Sequence, residues 1–392
     1  MLAERVLEIR PLPPLVFGVG AVTSLGERVR AIGERAIVVT DRGVAGAGVA
    51  AAVVASIEAS GLPSVIFDGV HANPVPGDVL AALGALHDLG PVAGTVVVGL
   101  GGGSPMDTAK SLAMLATNPA GRDVAAVRAL ESQVLVDALA VVCVPTTSGT
   151  GSETNDFGVL TDPELGAKVY PWHASALPRL ALLDPALTAG VPAGATANTG
   201  MDALTHAVEA ISSRNRNEYA DGLCLQVAHL VRRWLPVAVA DGADLEARSQ
   251  LAMASHLAGV AMATGTGQGA CHGIGHALST RLGVAHGAGL AVLLPEVMRF
   301  NLPACTPVYA RLAFALGVGQ IGAPDGHNAY AAIDAVAALS ATVGTARRLA
   351  EFGLDDTSAE VIAHDCLADA VTRNAPVLPT VDDVRALIAA CR

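Results

Sequence analysis

The chain has 392 residues, a formal charge of −12, 52% apolar residues and only 3% aromatics. An acidic chain with 15% charged residues makes a poor binder of phosphate backbones, which excludes nucleic acid as the main partner. The core must come from Ala, Val, Leu and Gly, pointing to close-packed helices and buried parallel strands.

Composition also excludes a membrane protein. The uncharged span Leu89 to Met106 is broken by glycines and prolines, and other apolar runs such as Ala138 to Pro145 suit buried strands. Glu4, Arg5, Glu8 and Arg10 stand where a secretory leader needs an apolar run. Six cysteines lie far apart with no CxxC pair, the pattern of reduced, structural thiols. Together these predict a cytoplasmic protein.

In chain order, Ala36 to Thr40 reads as a strand and Val49 to Ser60 as a helix. Ser64 to Phe67 is a strand, Asp78 to Leu89 a helix, Thr95 to Gly99 a strand, Asp107 to Thr117 a helix and Leu139 to Val144 a strand. Such alternation predicts βαβ crossovers and a parallel sheet covered on both faces. Beyond Asp184 strand runs largely vanish. Helices are predicted over Thr196 to Ser212, Glu218 to Trp234, Glu246 to Met262 and Cys271 to Leu282. Four more follow: Gly289 to Asn301, Pro307 to Leu316, Asn328 to Ser340 and Val381 to Cys391. The chain thus reads as an α/β domain over 1–184 and an all-helical domain over 185–392. Ligand chemistry is expected in the cleft between them.

Gly99-Leu100-Gly101-Gly102-Gly103-Ser104-Pro105-Met106-Asp107 follows the third strand and opens a helix. Glycines there let backbone approach an anion, and a helix N-terminus supplies N–H groups for a pyrophosphate. Ser104 is expected as N-cap and Pro105 at the first helical position, with Asp107 closing a capping box. The string is neither a Rossmann GxGxxG nor a Walker loop, so a tight turn with no ligand stays open. A second loop, Pro145 to Glu153, carries Thr146, Thr147 and Ser148 beyond a strand's carboxyl end, where open α/β sheets bind ligands. Asp41 either accepts ribose hydroxyls or caps a turn beside Gly43.

In the helical half, Asp202 and His206 lie four apart on one helix face. His272, His276 and His286 follow in glycine-flanked strings. One carboxylate and several imidazoles are a fair ligand set for Zn²⁺ or Fe²⁺ with a position open for a substrate oxygen. His276 is four after His272, so spacing leaves open which of the two binds.

GGGSPMDTAK (Gly101 to Lys110), PTTSGTGSE (Pro145 to Glu153), GMDALTHAVE (Gly200 to Glu209), CHGIGHALS (Cys271 to Ser279) and AHGAGLAVLLPEVMRFN (Ala285 to Asn301) resemble the iron-containing, or group III, alcohol dehydrogenase family. The likeness runs in order through essentially the whole chain. It implies the dehydroquinate synthase-like fold, with an α/β domain for NAD (NADP also open, Arg42 being adjacent) and a helical domain holding one divalent metal. It implies Asp202, His206, His272 and His286 as metal ligands, with His276 beside the substrate in proton relay. It implies Gly101, Gly102, Gly103 and Ser104 at the pyrophosphate, Asp107 near the nicotinamide, and Thr146, Thr147 and Ser148 at the adenosine and ribose. Lys168 is implied at cofactor oxygens, and Asp41 as the acidic residue favouring NAD. The activity implied is hydride transfer between an alcohol and an aldehyde or ketone, in a homodimer or higher homo-oligomer.

Two departures from the family concern the substrate. Ala261 to Gln268 is one residue longer than the usual Ala-Phe-x-Asn segment and brings in Thr264, Thr266 and Gln268. Asn155-Asp156-Phe157 replaces a short apolar stretch. Both suggest a polar pocket and a functionalised substrate, such as a hydroxy acid, a diol or a phosphonate-bearing aldehyde. Ala285 replaces the usual proline before His286. The alternatives are a glycerol-dehydrogenase-like or dehydroquinate-synthase-like enzyme of the same superfold, a metal-dependent hydrolase, and a scaffold without catalysis.

Overall fold

The computed structural model describes residues 7–118 and 121–392; Glu4 and Arg5, used in the reading of the N-terminus, lie outside the described residues. The chain divides into two compact units. One comprises Leu12–Val191 with Gly242–Ala252, and the other Pro192–Asp241 and Met253–Arg392 with residues 7–11.

The first unit contains strands β1 (Leu15–Phe17), β2 (Arg35–Val39), β3 (Ser64–Phe67), β4 (Thr95–Gly101), β5 (Ala140–Pro145), β6 (Leu160–Asp162), β7 (Ala167–Val169) and β8 (Leu180–Leu183). Its helices are α1 (Leu25–Arg30), α2 (Arg42–Gly46), α3 (Val49–Ala59), α4 (Pro76–Leu89), α5 (Gly103–Thr117) and α6 (Val124–Ala129). Six strands form one sheet in the order β1-β8-β5-β4-β2-β3, every pairing parallel. The strands are near-continuous apolar runs because both faces are covered. Ile37, Val97 and Val141 pack with α4 and α5 residues on one side, and Val38, Val96, Val98 and Val142 with α1 and α3 residues on the other.

The order of the sheet reverses between β2 and β4, since β3 lies outside β2 and β4 inside it. Carboxyl ends flanking such a switch point form the ligand crevice of open α/β sheets. Here those ends lead directly into Asp41 and the glycine turn.

Two of that turn's glycines have a steric reason. A Cβ at Gly99 would lie 2.9 Å from Met106 Cα and 3.0 Å from Ala109 Cβ, so the glycine lets α5 lie directly on β4. Gly101 holds φ +146°, which a side chain disfavours. Sequence patterning missed β6, β7 and β8, each only three or four residues long, as short strands carry too few periods to register.

The second unit is helical: α7 (Ala193–Ser212), α8 (Glu218–Ala240), α9 (Leu245–Ala261, shared between the two units), α10 (Ala270–Leu282), α11 (His286–Ala315), α12 (Asp325–Thr342), α13 (Asp356–Ala368) and α14 (Val381–Ala390). The two helices expected over Gly289–Asn301 and Pro307–Leu316 are one helix, α11. Pro295, Pro303 and Pro307 lie inside it, and burial of Leu293, Leu294, Val297, Met298 and Leu312 offsets their lost backbone bonds. The sequence gives no expectation of α13, a polar stretch that buries only Ile362, Ala363 and Cys366. Among the described helices α8 alone is long and apolar enough to cross a membrane, and it buries Cys224, Val227, Val231 and Leu235 inside the helical unit instead. All six cysteines are buried and free, and burial raises their thiol pKa values.

Gly99→Ala should destabilise the protein by about 1–3 kcal/mol through the forced separation of α5 from β4. Urea unfolding followed by circular dichroism measures it; an unchanged midpoint would contradict this packing.

Candidate functional site

In the helical unit, α7 carries Asp202 and His206 one turn apart, α10 carries His272 and His276, and His286 opens α11. Asp202 Oδ1 lies 3.6 Å from His206 Nε2, 3.6 Å from His272 Nε2 and 3.9 Å from His286 Nε2. Donor atoms bonded at about 2.0–2.1 Å to a tetrahedral ion stand about 3.4 Å apart, so these separations suit one divalent cation. Asp202 Oδ1 and His272 Nε2 are buried with no hydrogen-bond partner. Buried polar atoms are rarely left so, and a shared cation would satisfy both. The residues present therefore fit a metal.

Electrostatics agree with the geometry. Burial alone would raise the Asp202 carboxyl, but His206, His272 and His286 outweigh it and hold it well below the carboxylate range. Burial disfavours a charged His272, yet Glu209 and Asp202 raise its pKa to about 9. The cluster is arranged to hold positive charge.

Two carboxylates absent from the expected set orient the rings. Glu209 Oε2 lies 2.5 Å from His272 Nδ1, while its Oε1 accepts the Cys271 N–H at 2.7 Å. Asp369 Oδ2 lies 2.8 Å from Nδ1 of His276, whose ring stacks on His286 at 5.3 Å. Glu209 follows Asp202 by seven positions on one helix face, a spacing that could have revealed it. Asp369 gave no local signal, because it reaches the site from the segment after α13.

The departures from the family pattern have mixed outcomes. The longer segment is accommodated as a π-helical turn over Met262–Thr266, with Gly265 at φ +93°. Thr264 and Thr266 both donate to the Ala261 carbonyl inside it, which accounts for the hydroxyls without a pocket role. Gln268 does reach the cluster, its Nε2 lying 3.1 Å from His206 Nε2. Ala285 adopts φ −57°, the value proline would impose, so the start of α11 is unchanged.

In the α/β unit the two loops are adjacent. Thr146 N–H donates to the Gly101 carbonyl at 2.8 Å. A Cβ on Gly102 would sit 3.2 Å from Thr147 Oγ1, and one on Gly103 3.1 Å from Thr150 Cγ2, so backbone is left open beside the hydroxyls. Ser148 is buried in the same loop. The expected capping box does not form. Gly102 is the N-cap without a side-chain bond, since two glycines let α5 start two residues early, and Ser104 Oγ donates to the Ala72 carbonyl instead. Asp107 Oδ1 accepts from Ser152 at 2.6 Å. Asp41 Oδ1 caps α2 through Gly43 and Val44 N–H, while its Oδ2 comes within 3.4 Å of a Cβ built on Gly101. Lys168 donates to Thr161 Oγ1 at 2.8 Å across the β6–β7 hairpin. Asn155, expected at a polar pocket, accepts from buried Lys110 at 2.6 Å.

Residues 13–185 match the family described as iron-containing alcohol dehydrogenase, and residues 196–391 the C-terminal part of the Fe-containing alcohol dehydrogenase family. The chain is 35% identical over 390 residues to a probable alcohol dehydrogenase, EutG, of Escherichia coli K12, covering 99% of this chain and 95% of that one. It is 35% identical over 379 residues to an NAD-dependent methanol dehydrogenase of Bacillus methanolicus, covering 96% and 97%. The crystal structure of a 1,3-propanediol oxidoreductase superposes with a TM-score of 0.92 at 32% identity, covering 99% and 100%.

Glu209→Gln tests the orienting role. Its amide oxygen should keep the backbone N–H of Cys271, leaving the NH₂ to face His272 Nδ1 and forcing the ring proton onto Nε2. Affinity for Zn²⁺ should fall about 10–100-fold with the fold intact, measured by competition with a chromophoric chelator. Affinity within twofold of wild type would contradict it.

Proposed function

This chain belongs to the iron-containing alcohol dehydrogenase family, and we propose that it moves a hydride between an alcohol carbon and NAD with Asp202, His206, His272 and His286 holding one divalent metal, Fe²⁺ or Zn²⁺. The observation that carries this reading is the pair of buried, unpartnered atoms, Asp202 Oδ1 and His272 Nε2, with two further imidazoles around them. When bound, the cation supplies Lewis acidity toward the alcohol or carbonyl oxygen, and the nicotinamide accepts or donates the hydride.

The chain's own residues do the rest. Glu209 keeps the proton of His272 on Nδ1, so Nε2 presents a lone pair. Asp369 holds His276 by Nδ1, and His276 Nε2 takes up or returns the proton of the alcohol. The N-terminus of α5, with Gly101, Gly102, Gly103 and Ser104, binds the pyrophosphate. Thr146, Thr147, Ser148 and Lys168 contact the nucleotide, and Asp107 lies toward the nicotinamide. Asp41 selects NAD, because a carboxylate beside Gly101 repels a 2′-phosphate.

Gln268 favours a substrate with a second polar group, a diol or hydroxyaldehyde, because its amide reaches His206 while Thr264 and Thr266 are bonded internally. A homodimer or higher homo-oligomer is the proposed assembly, as β1 ends the sheet with Leu15 and Phe17 partly exposed. Buried free thiols fit a reducing cytoplasm.

Metal-replete protein should form NADH from alcohols. Chelation should abolish turnover while NAD binding, followed by fluorescence, survives. Turnover unaffected by complete metal removal would contradict the reading.

Gln268→Leu should lower kcat/KM for 1,2-propanediol about fivefold, roughly 1 kcal/mol, relative to 1-butanol. Equal changes for both substrates would remove Gln268 from recognition.

A further inference from the structure

Gly273 stands in the CHGIGHALS string between His272 and His276, with no part in the reaction as derived above. One face of α10 carries Gly269, Gly273 and His276. The segment after α13 runs along that face in the opposite direction. Ala375 Cα lies 3.6 Å from a Cβ built on Gly269, Thr372 Oγ1 2.1 Å from one built on Gly273, and Asp369 Oδ2 2.8 Å from His276 Nδ1. Buried Thr372 thus fills the notch left by the side chain that Gly273 lacks.

The segment is tied down on both sides of the notch. Thr372 Oγ1 donates to the Cys366 carbonyl, in the last turn of α13, at 2.6 Å. The Asn374 carbonyl accepts the Arg214 N–H at 3.0 Å and its Oδ1 accepts from Asn215 Nδ2 at 2.9 Å, which fastens the far end to the chain just after α7. Asp369 caps the 3₁₀ turn Ala370–Asn374, its Oδ1 accepting the Val371 N–H at 3.1 Å. Its Oδ2 is thereby turned toward the ring of His276.

We propose that Gly273 and Thr372 are positioning residues for proton transfer: the notch seats the threonine, and the seated segment aims Asp369 at His276 Nδ1. The inference rests on the reading of His276 as carrier of the alcohol proton. That proton leaves the substrate oxygen for His276 Nε2 while the hydride leaves the adjoining carbon for NAD, so the tilt of the ring decides whether Nε2 meets the oxygen. A carboxylate on Nδ1 fixes both tautomer and tilt. A single 3₁₀ turn has poor hydrogen-bond geometry and holds such a carboxylate weakly by itself. Docking on α10 supplies the missing rigidity. It also registers Asp369 against the very helix that bears the ring it serves, so the two move together. Gly273 and Thr372 touch neither substrate nor cofactor in this account and act through Asp369 alone.

The test uses full-length, metal-replete protein, with the rate of NADH formation from 1,2-propanediol in the first turnover, in H₂O and D₂O, and metal content by elemental analysis. Gly273→Ala should slow that turnover about tenfold with metal content unchanged, because the new methyl displaces Thr372 and Asp369 with it. The solvent isotope effect should rise, since proton transfer is the step slowed. Asp369→Ala should lose a similar factor, and adding Gly273→Ala to it should change the rate less than twofold. A wild-type rate in Gly273→Ala, loss of its metal, an unchanged isotope effect, or losses that multiply in the double variant would overturn the proposal. Should Gly273→Ala fail to fold, Thr372→Val, which keeps the shape and removes the bond to Cys366, carries the same cycle: a slowed turnover that vanishes as a separate effect in the Asp369→Ala background supports the proposal, and a wild-type rate or multiplying losses overturn it. A wild-type rate in His276→Ala would instead overturn the proton-relay reading, and the proposal with it, so the two failures are told apart.

Discussion

Asp202 Oδ1 organises the helical unit's chemistry. It is buried, it lies within 4 Å of three imidazole nitrogens, and it accepts no hydrogen bond. A carboxylate in that position is stable only with positive charge beside it, whether on the rings or on an ion between them. Much of the local architecture serves this constraint. α7 supplies two of the side chains at helical spacing, α10 a third, and the N-terminal residue of α11 a fourth.

The carboxylates behind the rings matter as much as the rings. Glu209 and Asp369 each take an Nδ1, leaving the Nε2 atoms of His272 and His276 for chemistry. The same logic recurs in the α/β unit, where Ser152 and Lys110 fix Asp107 and leave the glycine backbone open. In both units an ionised group is aimed by a second group of opposite charge or donor character. Neither unit relies on a single residue to set a reactive geometry.

The layer architecture was legible in the sequence because βαβ periodicity and Val-rich strands have a direct physical cause in two-sided burial. The five main candidate residues of the helical unit were legible too, from i,i+4 spacing and a glycine-flanked histidine cluster, and the structure brings Asp202, His206, His272, His276 and His286 together. What could not be read was tertiary. Ser104 looked like a cap, but glycines at 102 and 103 let α5 begin earlier, and the hydroxyl turned to Ala72. Thr264 and Asn155 looked like pocket residues, but each meets a buried partner far along the chain, Asn217 at 3.0 Å and Lys110 at 2.6 Å. Polarity in a sequence shows that a hydrogen bond will be made, not with what.

The most direct measurement is anomalous diffraction at the iron and zinc edges from crystals of protein purified without oxygen. One peak should appear bonded to Asp202 and to Nε2 of His206, His272 and His286, at distances of about 2.0–2.2 Å. A peak elsewhere, or no peak with the imidazoles still clustered in metal-replete protein, would contradict the account.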